Sequence, residues 1–233
     1  AAGAATAAAD TKVETLIDGS VAVVKVSKDI HDGKAALELA YSIYPDGQVN
    51  VSYKLNIAEN TLEPLRVGLQ GQIARTCDNI AYYGRGPQEN YSDRNVGIHL
   101  GTWKSTVEDM MMQYVYPQEN GNRTSVRWIS MTDLQGRGIQ FLGAEPLSVS
   151  VWNTTQEEIQ KAMHIGEPQM LRDAFVVNVD HVQTGVGGTD SWSQSARPSD
   201  QYRLMEKNYS YSFYIRPVKG RADAISAGRR LCR

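Results

Sequence analysis

The feature that most constrains the fold is a pair of alternating segments on either side of the tripeptide Pro45-Asp46-Gly47. Apolar residues occupy every second position from Leu37 to Ile43, and again from Val49 to Ile57. Successive side chains of a strand point to opposite faces, so this alternation predicts two strands, each with one apolar face. The tripeptide favours a tight turn, which joins the strands into an antiparallel hairpin. Because its apolar face must be buried, the hairpin has to lie on a second layer.

Most of the remaining chain has the same character. Short apolar or alternating runs between turn-forming residues predict further strands at 21–26, 65–73, 80–83, 125–131, 138–142, 148–152, 174–179, 202–205 and 209–215. One segment predicts a helix of about ten residues instead, since Thr154 and Thr155 each begin a Thr-x-x-Glu capping box. The fold class is therefore all-β, a large antiparallel β-sandwich with one short helix. We expect the sandwich to span residues 13–218, with residues 1–12 as a linker and 219–233 as a polar tail.

Composition excludes several classes of function. A chain of 233 residues can bury a large core without metals or disulfides. The net charge of −2 and the pI near 6.1 predict no nucleic-acid partner and no membrane partner. The two cysteines, Cys77 and Cys232, make no disulfide framework, and Cys77 is expected to be a partly buried thiol. The compartment stays open between cytoplasm and periplasm.

The tetrapeptide Pro-Gln-Glu-Asn occurs twice, at 87–90 and at 117–120. Proline and glycine place both copies on loops, where the polar side chains could meet sugar hydroxyls or hold the loops still. Glu89 and Glu119 are a poor acid–base pair, because an acid and a base need different environments and these two have identical neighbours. We therefore expect a loop framework made of Arg85, Glu89, Asn90, Arg94, Glu119, Asn120 and Arg123.

Trp192 is the best candidate for a ligand contact. It follows the glycine-rich segment 185–188 and has only polar neighbours, so its indole could lie against a sugar or fold back onto the sandwich edge. The other tryptophans lie in or beside strands and are core candidates, as are the three methionines at 110–112. The four histidines are scattered, and we predict no metal site.

Three segments, GRGPQENYSDR at 84–94, YVYPQENGNR at 114–123 and NVDHVQTGVGGTDSWS at 178–193, occur in this order. Together they resemble the C-terminal domain, or small-chain-like region, of the glycoside hydrolase family 2 β-galactosidases. The resemblance implies a supersandwich similar to galactose mutarotase. It also implies a parent enzyme that hydrolyses terminal β-galactosides such as lactose with retention.

In that family the two catalytic glutamates lie in a separate (β/α)8 barrel, and this sequence lacks the βα alternation of such a barrel. The resemblance therefore implies no catalytic residue here, and partners in the barrel and remaining domains or in a large subunit. Trp192 would contact the sugar next to galactose, and Asp190 and Ser191 would shape its loop. Magnesium and sodium, which parent enzymes often use, would bind mainly elsewhere, with no cofactor in this chain. A free carbohydrate-binding module and an aldose 1-epimerase-like enzyme remain the alternatives.

Overall fold

The computed structural model describes residues 11–188, 190, 193 and 196–220. In these ranges the chain forms eleven strands, two short helices and one 3-10 turn. The strands are β1 Thr11–Asp18, β2 Val21–Ile30, β3 Ala35–Ile43, β4 Val49–Ile57, β5 Arg66–Ala74, β6 Asn79–Gly86, β7 His99–Ser105, β8 Arg123–Thr132, β9 Arg137–Trp152, β10 Ala174–Gln183 and β11 Asn208–Lys219. The helices are α1 Val107–Met110 and α2 Gln156–Lys161, and the 3-10 turn is Asp200–Tyr202.

All strand pairs are antiparallel, and neighbours follow the order β1-β2-β3-β4-β11-β9-β8-β6-β7. The 16-residue strand β9 is the branch point. Its first part pairs with β11, while Ser148–Trp152 pairs with β10, which in turn pairs with β5. β10 and β5 thus leave the main order of strands and form a second branch of the sheet.

Both branches contribute to one apolar core, which makes the fold an antiparallel sandwich. Val51 and Phe213 come from the main branch, Val67 and Val177 come from the second branch, and all are nearly or fully buried. The Tyr211 hydroxyl donates to the Val179 carbonyl at 2.8 Å, between strands that are not paired. Apolar burial on this scale is the main stabilising term of such a fold.

The predicted hairpin is confirmed, since β3 pairs with β4 in the register Ile43↔Val49. The predicted pairing of 125–131 with 138–142 is confirmed by β8 and β9. Helix α2 is also confirmed: the Thr155 hydroxyl accepts from the Glu158 N–H at 3.1 Å, although the helix is only six residues long.

Three details of the prediction were wrong. Segment 148–152 is the end of β9 rather than a separate strand. Pro146 precedes it without ending the strand, because it lies where the pairing with β8 shifts in register and a backbone N–H donor is not required. Segment 202–205 is not a strand, because the Tyr202 carbonyl accepts from the loop donors Gly185 N–H and Thr184 Oγ1. A second helix, α1, begins after Thr106, whose hydroxyl accepts from the Asp109 N–H.

Trp128 and Trp152 are buried and Trp103 is partly buried against the core, as predicted. Cys77 is a half-buried free thiol. Among the described residues, no helix has the length and apolar character needed to cross a membrane.

Candidate functional site

The three sequence motifs lie next to one another in the fold. The first lies on β6 and the loop after it, the second precedes β8, and the third follows from β10. The Asn90 N–H donates to the Asn122 carbonyl at 2.8 Å, which joins the first motif to the second. The Gly187 N–H donates to Asp93 Oδ2 at 2.6 Å, which joins the third motif to the first. The motifs therefore form one continuous group of loops.

The two Pro-Gln-Glu-Asn copies adopt the same local arrangement around their asparagines. Asn90 Nδ2 donates to the Gln88 carbonyl at 3.0 Å, and Asn120 Nδ2 donates to the Gln118 carbonyl at 2.9 Å. Each asparagine Oδ1 then accepts a backbone N–H from another segment, from Thr124 at 2.9 Å and from Met112 at 3.2 Å. Both amides are buried, so these bonds satisfy groups that water does not reach.

Glu89 links the two copies. Its Oε2 accepts from the Gly121 N–H at 2.7 Å, and its Oε1 accepts from Arg94 Nη2 at 3.2 Å and from the Tyr114 hydroxyl. The Arg94 guanidinium also lies over the Tyr91 ring, 5.0 Å from its centroid. The Glu89 carboxylate is thereby held by three donors from the first two motifs.

Glu119 belongs to a different group of charges. Arg66 Nη2 lies 2.7 Å from Glu119 Oε1, and Arg66 Nε lies 3.1 Å from Asp180 Oδ2. The same guanidinium lies 5.3 Å from the centroid of the Trp152 ring. One arginine thus serves two carboxylates at the point where the second motif covers β5 and β10.

Burial dominates the electrostatics of this group. It raises the pKa of Asp180 to about 7, against the opposing effect of Arg66 and with an added contribution from Glu119. Burial also raises the pKa of Glu119, which Arg66 partly offsets. The two identical tetrapeptides therefore do not give Glu89 and Glu119 identical environments, contrary to the premise drawn from the sequence.

The two remaining arginines of the expected framework donate to loop carbonyls. Arg85 Nη1 donates to the carbonyls of Asn95 and Ile98 at 3.1 and 2.5 Å. Arg123 is 2% exposed, and its Nη1 donates to the Gly121 carbonyl at 2.9 Å while its Nε donates to the Tyr82 hydroxyl at 3.3 Å.

Of the predicted sugar-contacting residues, only Asp190 lies within the described residues. Its two carboxylate oxygens accept from the Ser193 N–H at 2.7 Å and from the Ser193 hydroxyl at 2.8 Å. Trp192 and Ser191 lie outside the described residues.

Three residues of the site were not singled out from the sequence. Asp93 packs on the third motif so closely that a Cβ on Gly185 would lie 2.7 Å from its carboxylate. Asp93 and Asp180 stand inside the motifs and could have been identified there, since an acidic residue within a glycine-rich or buried segment needs a partner. Arg66 carries no such signal, because its partners are 53 and 114 residues away.

A small cavity of about 200 Å³ lies beside the second motif. Its lining is mainly apolar and includes Met111, Met112, Ile159 and Met170. The methionine prediction is therefore right for Met110, which is 1% exposed, whereas Met112 is 45% exposed at the cavity.

No group of three or more His, Cys, Asp or Glu side chains in the described ranges is arranged to hold a metal ion. His181 lies 3.9 Å from Glu145 between Nδ1 and Oε1, and its ring stacks on Tyr211.

Comparison with known proteins identifies the family. The family described as "Beta galactosidase small chain" matches residues 2–215. The chain is 30% identical over 197 residues to a β-galactosidase of Priestia megaterium, covering 84% of this chain and 19% of the relative. It is 35% identical over 192 residues to a β-galactosidase of Halalkalibacterium halodurans, covering 79% and 18%. For a β-galactosidase of Vibrio cholerae the identity is 32% over 212 residues, covering 89% and 19%.

Among solved structures, the chain is similar to an aldose epimerase homologue of C. elegans, with a TM-score of 0.43 and 8% identity, covering 90% of this chain and 69% of that one. A putative aldose 1-epimerase of Escherichia coli gives a TM-score of 0.42 and 9% identity over the same shares. The chain spans about a fifth of the length of the β-galactosidases that it matches. It belongs to the β-galactosidase small-chain family.

Proposed function

We propose that this chain is the non-catalytic β-sandwich domain of a retaining β-galactosidase, and that it completes the mouth of an active site located in the rest of the enzyme. The proposal rests on the family match, together with the fact that the chain corresponds to only a fifth of its relatives. The parent enzyme would hydrolyse terminal β-galactosides such as lactose, with its catalytic carboxylates in its barrel.

The observation that supports a non-catalytic role is that both motif glutamates are bonded to other residues of this chain. A glycosidase needs two carboxyl groups that face the scissile bond, one on each side. Glu89 is occupied by Gly121, Arg94 and Tyr114, and Glu119 is paired with Arg66. Both side chains bond to the protein itself, which supports a role in holding the loops rather than in cleaving a substrate.

The contribution of the motifs to function would be indirect. Asp93 connects the first motif to the glycine-rich segment 185–188, and Asp190, two residues further along the sequence, accepts from Ser193. A rigid framework under that segment would fix the position of Trp192 relative to the catalytic barrel. In this proposal Trp192 contacts the sugar next to galactose, in the aglycone subsite, and Asp190 and Ser191 shape the loop that carries it.

The test uses the assembled enzyme with Trp192→Ala. Burying an indole against a sugar stabilises the complex by about 1 to 3 kcal/mol, so galactosyl transfer to glucose should fall roughly fivefold to 150-fold. Hydrolysis of a small aryl galactoside, which needs less of this subsite, should change less than threefold. Leu62→Ala, which truncates a side chain that is 89% exposed, is the control and should leave both rates unchanged. Equal losses on both substrates would contradict the proposed subsite.

The alternatives predict different behaviour of the chain by itself. A carbohydrate-binding module would bind galactose or lactose in calorimetry, and Trp192→Ala would abolish that binding. An epimerase would accelerate the anomerisation of galactose, with His181 and Glu145 as the residues to replace. We expect neither activity from the isolated chain, and anomerisation above background would overturn the proposal.

A further inference from the structure

One half of the sandwich carries an apolar face that extends well beyond the core. Directly paired residues share a face of a sheet, so the register allows the face to be traced across five strands. Three rows run from β1 to β11: Val13–Val26–Leu39–Tyr53–Tyr211, Thr15–Val24–Tyr41–Val51–Phe213 and Ile17–Ala22–Ile43–Val49–Ile215. We call this surface the five-strand face. Thr15 interrupts the apolar character of these rows, and a fourth row on the same side, Thr11–Lys28–Leu37–Leu55–Tyr209, adds one charged residue, Lys28.

The reverse side of the same strands is mostly polar, apart from Leu16, Val23 and Tyr214 in the row Leu16–Val23–Ser42–Asn50–Tyr214. Two rows there read Lys12–Ser27–Glu38–Lys54–Ser210 and Glu14–Lys25–Ala40–Ser52–Ser212. Alternation of this kind is typical of a sheet with one side in water and the other side buried. The pattern of apolar residues in β1 and β2 therefore predicts that the five-strand face is buried across its whole width.

Burial nevertheless decreases towards β1, because Ala22, Val24 and Val26 on β2 are only partly buried and β1 is exposed throughout. At the β4 and β11 end, Val51 is fully buried and Phe213 is 2% exposed. Burial is partial at Leu39 and Tyr41 on β3. At the β1 end, Val13 is 58% exposed and Ile17 is 74% exposed. The β1–β2 end of the five-strand face is thus an exposed continuation of the core.

We propose that the β1–β2 end of the five-strand face docks against the rest of the β-galactosidase polypeptide. The inference rests on the proposed function, and it names the surface through which that function is assembled. The occupant is argued from length, because about four-fifths of each relative lies outside the region matched by this chain. An apolar face that is continuous with a domain core is also the composition of permanent interfaces.

The geometry sets the chemistry of the partner. β1 is the terminal strand of the sheet order, so among the described residues no strand pairs with its outer edge, which lies beside the apolar face. Lys12 and Glu14 point to the reverse side, where they form a 2.6 Å ion pair with each other. The partner surface that fits this end is therefore apolar opposite Val13 and Ile17.

The strand itself supplies a matched control. Leu16 is an exposed apolar residue of β1, at 44% exposure, but it lies on the reverse side, in the row Leu16–Val23–Ser42. Ile17→Lys and Leu16→Lys thus place the same charge on the same strand, one residue apart, on opposite faces. Both positions are exposed in the isolated chain, so both variants should keep its circular dichroism spectrum and its melting temperature within a few degrees. Val13→Lys is the second test variant, should Ile17→Lys lose its fold.

The experiment measures the affinity of the 233-residue chain for the rest of the parent enzyme, expressed without these residues. We expect Ile17→Lys and Val13→Lys to weaken binding at least tenfold, and Leu16→Lys to weaken it less than threefold. Equal affinity of all four proteins would overturn the docking surface while leaving the proposed function standing. Failure of the wild-type chain to bind would overturn the proposed function as well. Self-association of the wild-type chain that Ile17→Lys abolishes would show that a second copy is the occupant and would also overturn the inference.

Discussion

The structure predicts how the stability of the chain depends on pH through the ionisation of Asp180. This carboxyl is 1% exposed, beside one arginine that it shares with Glu119. Its pKa rises from 3.8 to about 7 on folding because burial disfavours the charged form. The unfolded chain therefore loses this proton near pH 4, whereas the folded chain keeps it until about pH 7.

The sign of the effect on stability follows from these two values. Below pH 3.8 the carboxyl is protonated in both states, so its ionisation does not affect the free energy of unfolding. Between 3.8 and about 7 it ionises only in the unfolded state, so the folded state becomes progressively less stable, and above pH 7 the cost is complete. At about 1.4 kcal/mol per pH unit the full cost is about 4 kcal/mol, of which about 3 kcal/mol develops between pH 5 and pH 8.

Asp180→Asn removes this titration while it keeps the shape of the side chain. The free energy of unfolding of the variant minus that of the wild type should therefore rise by about 3 kcal/mol from pH 5 to pH 8. Urea unfolding followed by tryptophan fluorescence, at constant ionic strength, measures this difference. Asp46→Asn, the same substitution at an exposed position, is the control.

A difference that stays constant with pH would contradict the raised pKa of Asp180, because Asp180 would then ionise in the folded state as readily as in the unfolded state. A difference that falls with pH would show that Arg66 stabilises the ionised carboxylate by more than burial costs. Arg66→Met provides a second check, since it leaves two carboxylates without their cation and should destabilise the chain more at pH 8 than at pH 5.

Two further predictions concern the loops. Asn90→Ala removes a buried amide whose Oδ1 accepts from the Thr124 N–H, so the free energy of unfolding in urea should fall by about 1 to 3 kcal/mol. Gln88→Ala, at an exposed position, is the control and should change it by less than about 0.5 kcal/mol. Equal effects would mean that the bonds of the Asn90 amide do not stabilise the fold. Gly185→Ala places a Cβ 2.7 Å from the Asp93 carboxylate, so it should lower the free energy of unfolding by about 1 to 3 kcal/mol and lower the activity of the assembled enzyme. Gly97→Ala, whose Cβ meets open space, is the control and should change neither quantity. An unchanged Gly185→Ala variant would show that the loop moves freely past Asp93.

The local features of the fold could be predicted from the sequence. The hairpin of β3 and β4 follows from alternation and one turn, and helix α2 follows from its Thr155 cap, because both depend on residues close together in the chain. The branch of the sheet at β9 could not be predicted, because it depends on which distant strands meet. Alternation at 202–205 predicts a strand, but the contacts of Tyr202 with Gly185 and Thr184 decide the conformation of this segment.

The candidate site divides in the same way. The motif residues could be identified because they repeat and carry polar groups in loops. Their partners could not, since Arg66 lies 114 residues from Asp180 and Asp93 lies 94 residues from Gly187. Identical tetrapeptides also gave Glu89 and Glu119 different surroundings, because tertiary contacts rather than sequence neighbours set the environment of a carboxyl.

The central claim is that this chain supplies a domain to a β-galactosidase whose chemistry resides elsewhere. The most direct measurement mixes the 233-residue chain with the rest of the parent enzyme and follows the hydrolysis of lactose. We expect little or no hydrolysis by either part alone and a large gain when both are present. Hydrolysis of lactose by the isolated chain, or full activity of the remainder without it, would show that this chain is not the non-catalytic domain proposed.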